Sequence, residues 1–297
     1  METRIVIPLE KEFPDCLRSI RQPPDALYVR GDLPDPEKPS VAIIGARNCT
    51  FYGSDMAGWF ASELARAGVQ IISGMAMGVD GIAQRAALEA GGTSFGILGC
   101  GTDICYPKSN RDLYDKLLQK GGVISEYPNG TQPLPALFPQ RNRLIAGFSQ
   151  ALLVVEAREK SGTLITADAA LEQGKDVFVL PGRITDSLST GCNRLIYQGA
   201  GIALSPDTIL EALGIVRSSK HGENRPFVPS KTVLKSLTED ERFIWKKLSS
   251  RPISLQELYD RIAEKSTKYT LPAVLGTLMT LTEKGVIRTN DDGRYYI

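Results

Sequence analysis

From residue 41 the chain repeats one pattern: a short run of apolar residues, a glycine turn, and a stretch whose apolar positions recur at helical spacing. VAIIG (41–45) precedes a helical segment over 54–67, VQIISG (69–74) precedes another over 82–90, and TSFGILG (93–99) follows. GVISEY (122–127), ALLVVEA (151–157) with a helix over 166–173, and DVFVLPG (176–182) with a helix over 193–198 before GIAL continue the series. Continuous β-branched runs alternating with helices predict a mainly parallel sheet covered on both faces, a doubly wound α/β domain of Rossmann-like type. Ahead of it, LYVRG (27–31) between two proline clusters reads as an extra edge strand or an arm formed by residues 1–40.

After Gly214 the pattern stops, and the polar stretch 215–232 with Pro226 and Pro229 reads as a linker. Beyond it, TEDERFIWKKLSS and ISLQELYDRIAEK read as capped amphipathic helices, and LPAVLGTLMTLTEKG as a third helix ended by Gly285. VIRTNDDGRYYI then gives two strands around an Asp-Gly turn. Three helices and a hairpin in so short a span predict a winged helix-turn-helix. The expected organisation is 1–214 for the α/β domain, 215–232 for the linker and 233–297 for the winged helix.

Composition narrows the chemistry. In 297 residues, 42% hydrophobic and 23% charged, there is material for one large core and a second small one. The sequence has no apolar run of eighteen residues, and METRIVIPLEKEFPDC lacks the pattern of a secretion signal, so a soluble cytoplasmic protein with no membrane partner is expected. Five scattered cysteines without a Cys-x-x-Cys suggest neither a disulfide framework nor a zinc knuckle. The single histidine, His221, lies in the linker, which removes Ser-His-Asp and Cys-His nucleophile systems and most zinc sites. No metal or cofactor is expected. A net charge of +1 excludes a uniformly basic polyanion binder and leaves room for a local positive patch.

In an open parallel sheet, ligands bind beyond the carboxyl ends of the strands, and there this sequence concentrates glycines and cations. Gly45 and Arg47 follow the first strand; taken alone, a tight turn and a surface charge explain them as well as a phosphate seat does. SGMAMGVDG (73–81) leads from a strand into a helix, and Ser73, Gly74 and Gly78 leave space for an anion at the free N–H groups. Its spacing is not that of a dinucleotide fingerprint, and Asp80 reads as a helix cap. Lys108 and Asn110 follow another strand end, in a loop stiffened by Tyr106 and Pro107. FPQRNRL places Arg141, Asn142 and Arg143 near Phe138; guanidinium groups interleaved with a ring suit a single nucleic-acid strand, although an exposed basic loop has the same composition. Ser161, Gly162 and Thr163 open a further helix and form another anion seat. Five such loops on one edge together predict an elongated polyanion site.

These segments, with SEY, EAREKSGTLITADAALEQGKDVFVLPG and STGCNRLI, closely resemble the DNA-processing protein A family, DprA or Smf, over roughly residues 20–210. The terminal winged helix also resembles that family's common C-terminal domain. The resemblance implies a non-enzymatic protein that binds single-stranded DNA during natural transformation and loads the recombinase RecA onto it, usually as a homodimer. It also implies that Arg47 and Lys108 grip the DNA, with a phosphate pocket around Ser73, Gly74 and Gly78. Two departures stand out: Gln84 occupies a position where the family usually has histidine, and the N-terminal helical domain of many members is not seen.

Two rival readings belong to other classes. A nucleotide phosphoribohydrolase would need a carboxylate just after its Gly-Thr loop, but Gly162 and Thr163 are followed by Leu164, Ile165 and Thr166. Glu156 and Glu159, upstream, read as capping or salt-bridging residues. A transcription factor reading duplex DNA would need polar side chains on LPAVLGTLMTLTEKG, which is nearly free of them; a protein-contact or dimer role suits that module better.

Overall fold

The computed structural model describes residues 2–216, 236–249, 252–264, 268–289 and 292–296. The chain divides into two compact units, Met1–Lys220 and His221–Ile297. Of the expected linker, only Ile215 and Val216 fall within the described residues; His221 lies outside them.

Nine strands form the sheet of the first unit: β1 (Arg4–Val6), β2 (Leu27–Gly31), β3 (Ser40–Ile44), β4 (Gln70–Ser73), β5 (Ser94–Ile97), β6 (Gly121–Ser125), β7 (Ala151–Val154), β8 (Asp176–Val179) and β9 (Gly201–Ile202). Their order is β1-β2-β6-β5-β4-β3-β7-β8-β9. All pairings from β6 to β9 are parallel, and β1 and β2 add antiparallel partners at one end. LYVRG is therefore not an edge strand. As β2 it pairs with β6 on one side and β1 on the other, and the three-residue β1 takes the edge.

Alternation along each strand sorts its side chains into two layers. Val41 and Ile43 of β3 pack with Phe60 and Leu64 of α2 (Phe51–Arg66) and Ala83 of α3 (Val79–Glu89). Ala42 and Ile44 point the other way, toward Ile145 of α5 (Leu137–Gly147), Ala167 of α6 (Gly162–Glu172) and Leu195 of α7 (Thr190–Tyr197). Each buried Ile, Leu or Phe contributes roughly 1.5–3 kcal/mol, so the two layers hold the strand ends, and the loops that leave them, in fixed places. The strand order reverses at β3, which has β4 on one side and β7 on the other, and a crevice opens there.

Four helices lie where the periodicity gave none, among them α1 (Asp15–Arg18) and α8 (Pro206–Ala212). Residues 111–117 form α4, after a 3-10 turn Lys108–Asn110. FPQRNRLIAG is not a basic loop but the body of α5. Its start is hidden because Pro139 sits in the first turn, where a missing N–H costs nothing, and because its inward face carries Arg141 and Asn142 instead of apolar residues.

The described part of the second unit has helices Glu239–Trp245, Leu255–Ala263 and Leu271–Glu283, followed by the antiparallel pair β10 (Arg288–Thr289) and β11 (Tyr295–Tyr296). Reciprocal capping boxes start the first two, Thr238 with Glu241 and Ser254 with Glu257. Ile244, Leu258, Ile262, Val274, Leu278 and Leu281 form a core of their own.

Candidate functional site

A cleft of about 520 Å³ occupies the crevice at the strand-order reversal, lined by the loops after β3 and β7 and by α5. Gly45, Arg47, Phe138, Arg141, Asn142, Ser161, Gly162 and Thr163 all border it. All of these but Phe138 are predicted binding positions, so seven of them, from distant parts of the chain, are brought to one place. Six others are not.

Beneath the cleft lie two opposite charges in full burial. Arg141 Nη1 donates to the carbonyl oxygens of Gly74 (3.0 Å) and Ile97, and so ties the end of β4 to the end of β5. Asp80 accepts from the Gly74 N–H at 3.0 Å. Burial pushes the Asp80 carboxyl up, opposed by Arg141 and the Gly74 amide. Burial also lowers Arg141 to about 10, which leaves it charged at neutral pH. Arg141 therefore spends its donors on backbone and braces the site from below; it is not an exposed loop cation.

The glycine loop after β4 corrects the sequence reading in the same sense. The Ser73 hydroxyl is buried and donates to Ile43 O at 2.6 Å. A side chain at Gly74 would meet Asp80 Oδ2 at 2.7 Å and Arg141 Nη2 at 2.8 Å, so this glycine makes room for the buried charges and its N–H is already taken. Gly78 has φ +71°, and a Cβ there would lie 2.3 Å from the carbonyl oxygens of both Ala46 and Arg47. With Val79 N donating to Ala46 O at 3.2 Å, the loop supports the backbone of Arg47. Asn110 is likewise internal: Nδ2 donates to Met75 O (3.0 Å) and Ala76 O (3.1 Å). Gln84 accepts from Met75 N and donates to Phe95 O; it pins Met75, whose φ is +54°, and does not border the cleft.

The cleft's exposed face is built around Phe138. The Arg47 guanidinium lies 5.6 Å from the ring centre and that of Arg141 5.9 Å, while Tyr106 stacks on the ring at 5.5 Å and 28°. Loops from β3 and β5 thus meet on one aromatic side chain of α5. Arg47 is exposed and has no ion-pair partner among the described residues. Lys108, two residues beyond Tyr106, is also exposed and unpaired among the described residues, and is not part of the lining.

On the β7 side, Ser161 is the N-cap of α6, and its hydroxyl, although buried, finds no hydrogen-bond partner among the described residues. Asn142 Nδ2 donates to Gly162 O at 3.2 Å and fixes this start against α5. Arg143 points out of the site. It forms a two-pronged pair with Glu126 (3.0 and 2.6 Å) and borders a different groove with Gln140 and Gln173. Glu156 accepts from the Thr50 backbone N–H at 2.9 Å and from its hydroxyl, and Glu159 pairs with Arg194 at 3.3 Å. Both glutamates have the capping and salt-bridging roles expected of them.

Sequence reasoning missed two contributors. Tyr106 was read as a loop stiffener, and its approach to Phe138 depends on a contact no pattern encodes. Arg158 lines the cleft from the loop after β7; its position three residues before Ser161, past a strand's carboxyl end, was the available signal.

The family described as DNA recombination-mediator protein A matches residues 4–214. The chain belongs to that family. Relatives of the chain include protein Smf of Escherichia coli K12, 43% identical over 210 residues, covering 70% of this chain and 56% of the relative. The Synechocystis Smf is 38% identical over 230 residues, with 58% of its length covered, so the chain spans a little over half of these two relatives. The pneumococcal DNA processing protein DprA is 41% identical over 202 residues, 68% of this chain and 71% of the relative. Among solved structures, DprA of Streptococcus pneumoniae superposes with TM-score 0.67 at 37% identity, over 71% of this chain and 74% of that one. DNA processing protein A of Helicobacter pylori, described for its single-stranded DNA binding mode, gives TM-score 0.64 at 33% identity, over 71% and 94%.

Proposed function

We propose that the first unit of this family member binds single-stranded DNA by its phosphate backbone along the cleft, as a binder and not as an enzyme. One observation carries the reading: an unneutralised cation, Arg47, held over a stacked Phe138–Tyr106 pair at the carboxyl edge of a parallel sheet. A guanidinium takes a phosphate oxygen while rings take the face of an unstacked base, a combination that suits single strands of any sequence. Lys108, exposed two residues beyond Tyr106, adds a second phosphate contact, and the open amides of Gly162 and Thr163 at the start of α6 add a third. The description of the H. pylori relative supports the choice of ligand.

On this reading the protein works in the cytoplasm without a cofactor, protects incoming single strands and loads RecA onto them as a homodimer. The β9 edge supports the dimer: Ile202, Leu204 and Tyr197 are exposed where the sheet has no further strand. The 236–296 region is read as a winged helix used for protein contact.

Mobility shifts with single- and double-stranded oligonucleotides across a salt series test the proposal. Binding is expected to favour the single strand and to weaken steeply with salt, because phosphate contacts release counterions. Changing Arg47 and Lys108 together to alanine should weaken oligothymidine binding at least tenfold, on the scale of two lost charge-assisted contacts, without lowering Tm. Unchanged affinity would place the site elsewhere. Base release from nucleoside monophosphates that disappeared in Glu156→Gln would favour an enzyme instead.

A further inference from the structure

The wall of the cleft opposite the Arg47 loop carries a cation that the five-loop reading did not include. Arg158 leaves the end of β7, is exposed, lines the cleft, and has no ion-pair partner among the described residues. The residues on either side of it are fixed. Ala157 N donates to Leu188 O at 2.7 Å, Ala157 O accepts from Gly191 N at 2.9 Å, and Glu159 N donates to Thr190 Oγ1 at 3.2 Å. Arg158 is therefore held between two anchored neighbours, on a loop clamped to the start of α7, three residues before the unpartnered Ser161 hydroxyl. The neighbouring acid does not neutralise it, because Glu159 is engaged with Arg194.

We propose that Arg158 is a second phosphate clamp, which carries the strand across the β3–β7 boundary from the Arg47 side to the start of α6. The inference rests on the single-strand reading above and deepens it. Arg47 and Phe138 hold one nucleotide; Arg158, with the Ser161 hydroxyl and the amides of Gly162 and Thr163, holds a phosphate farther along. A strand too short to reach from one wall to the other gains nothing from Arg158, whereas a longer one does.

The test is fluorescence anisotropy of labelled oligothymidines of increasing length with the full chain, comparing wild type, Arg47→Ala, Arg158→Ala and Arg158→Glu at several salt concentrations. Arg158→Ala should weaken the longer oligonucleotides about tenfold and leave the shortest binding ones nearly unchanged. It should also reduce the salt slope for long strands by about 0.7, the share of one phosphate contact on a single strand, and Arg158→Glu should go further in both respects. If Arg47→Ala weakens binding while both Arg158 variants match wild type at every length, the second clamp is overturned and the single-strand reading stands. If wild type binds no oligothymidine at all, the single-strand reading falls, and the clamp with it.

Discussion

Arg141 and Arg47 are the same side chain put to opposite uses. Arg47 keeps its donors free at the surface, whereas Arg141 commits its donors to Gly74 and Ile97 carbonyls beside buried Asp80. Removing a partner from a buried charged arrangement leaves the other charge uncompensated, at a cost of about 3–5 kcal/mol. Arg141→Ala should therefore lower thermal stability by many degrees, as scanning calorimetry would record, while Arg47→Ala leaves it unchanged. An equal and small effect of both would mean that Arg141 does not brace the strand ends. From sequence the two arginines were indistinguishable in kind: each sits in a polar segment near a glycine or an aromatic residue, and residue type does not reveal which donors are already satisfied. Gly45 and Arg47 border the cleft because they directly follow β3, and strand ends are readable. Ser73, Gly74 and Gly78 were assigned to a phosphate when their small size serves the buried charges and the backbone of Arg47.

Long apolar periods were recovered from the sequence, whereas short helices such as α4 and the polar-faced α5, whose inward side carries Arg141 and Asn142, were not. The helices after β3, β4, β7 and β8 were expected, and each begins three or four residues before the expected start. The second unit shows how charge can hold such short helices. Glu241 is almost fully buried, and hydrogen bonds from Lys284 (2.6 and 2.7 Å) together with the Thr238 N–H hold its carboxyl below the usual glutamate range. Asp240 is lowered similarly by Lys268 and Tyr269. A carboxylate with a depressed folded pKa adds stability that is complete above its unfolded value, near pH 4.3, and lost as pH falls through the folded one. Hydrogen exchange of helix Glu239–Trp245 should thus accelerate below about pH 4. Lys284→Met should weaken protection at neutral pH and flatten that acid limb; an unchanged profile would remove Glu241 from the account.

At the scale of the molecule, the sheet presents different surfaces at its two ends. The β9 end exposes Tyr197 (93%), Leu204 (79%) and Ile202 (41%) around a two-residue strand with one free edge. Pairing two such edges would bury these residues and satisfy the open backbone, which makes an isologous dimer the expected assembly. Ile202→Glu with Leu204→Glu should shift sedimentation from dimer to monomer at micromolar concentration while the fold, read by circular dichroism, persists. If the wild type sediments as a monomer at the same concentration, this edge is not the contact. The near-neutral charge of the whole chain gave no hint of the cleft, because in the sum of 35 cations and 34 acids Arg47, Lys108 and Arg158 are cancelled by carboxylates elsewhere in the chain.

Alternation and helical period in the sequence determined the layered α/β sheet, the second helical unit and the edge on which ligand-facing loops lie, since these follow from which backbone positions can be buried. The tertiary structure decided which cations remain available. It closed Arg141 and Asn110 into the interior, turned Arg143 toward Glu126, and brought Tyr106, Arg47 and Arg158 to the walls of one cleft. A side chain's free donors are what is left after its neighbours in space have taken theirs, and those neighbours stand up to 67 residues away along the chain.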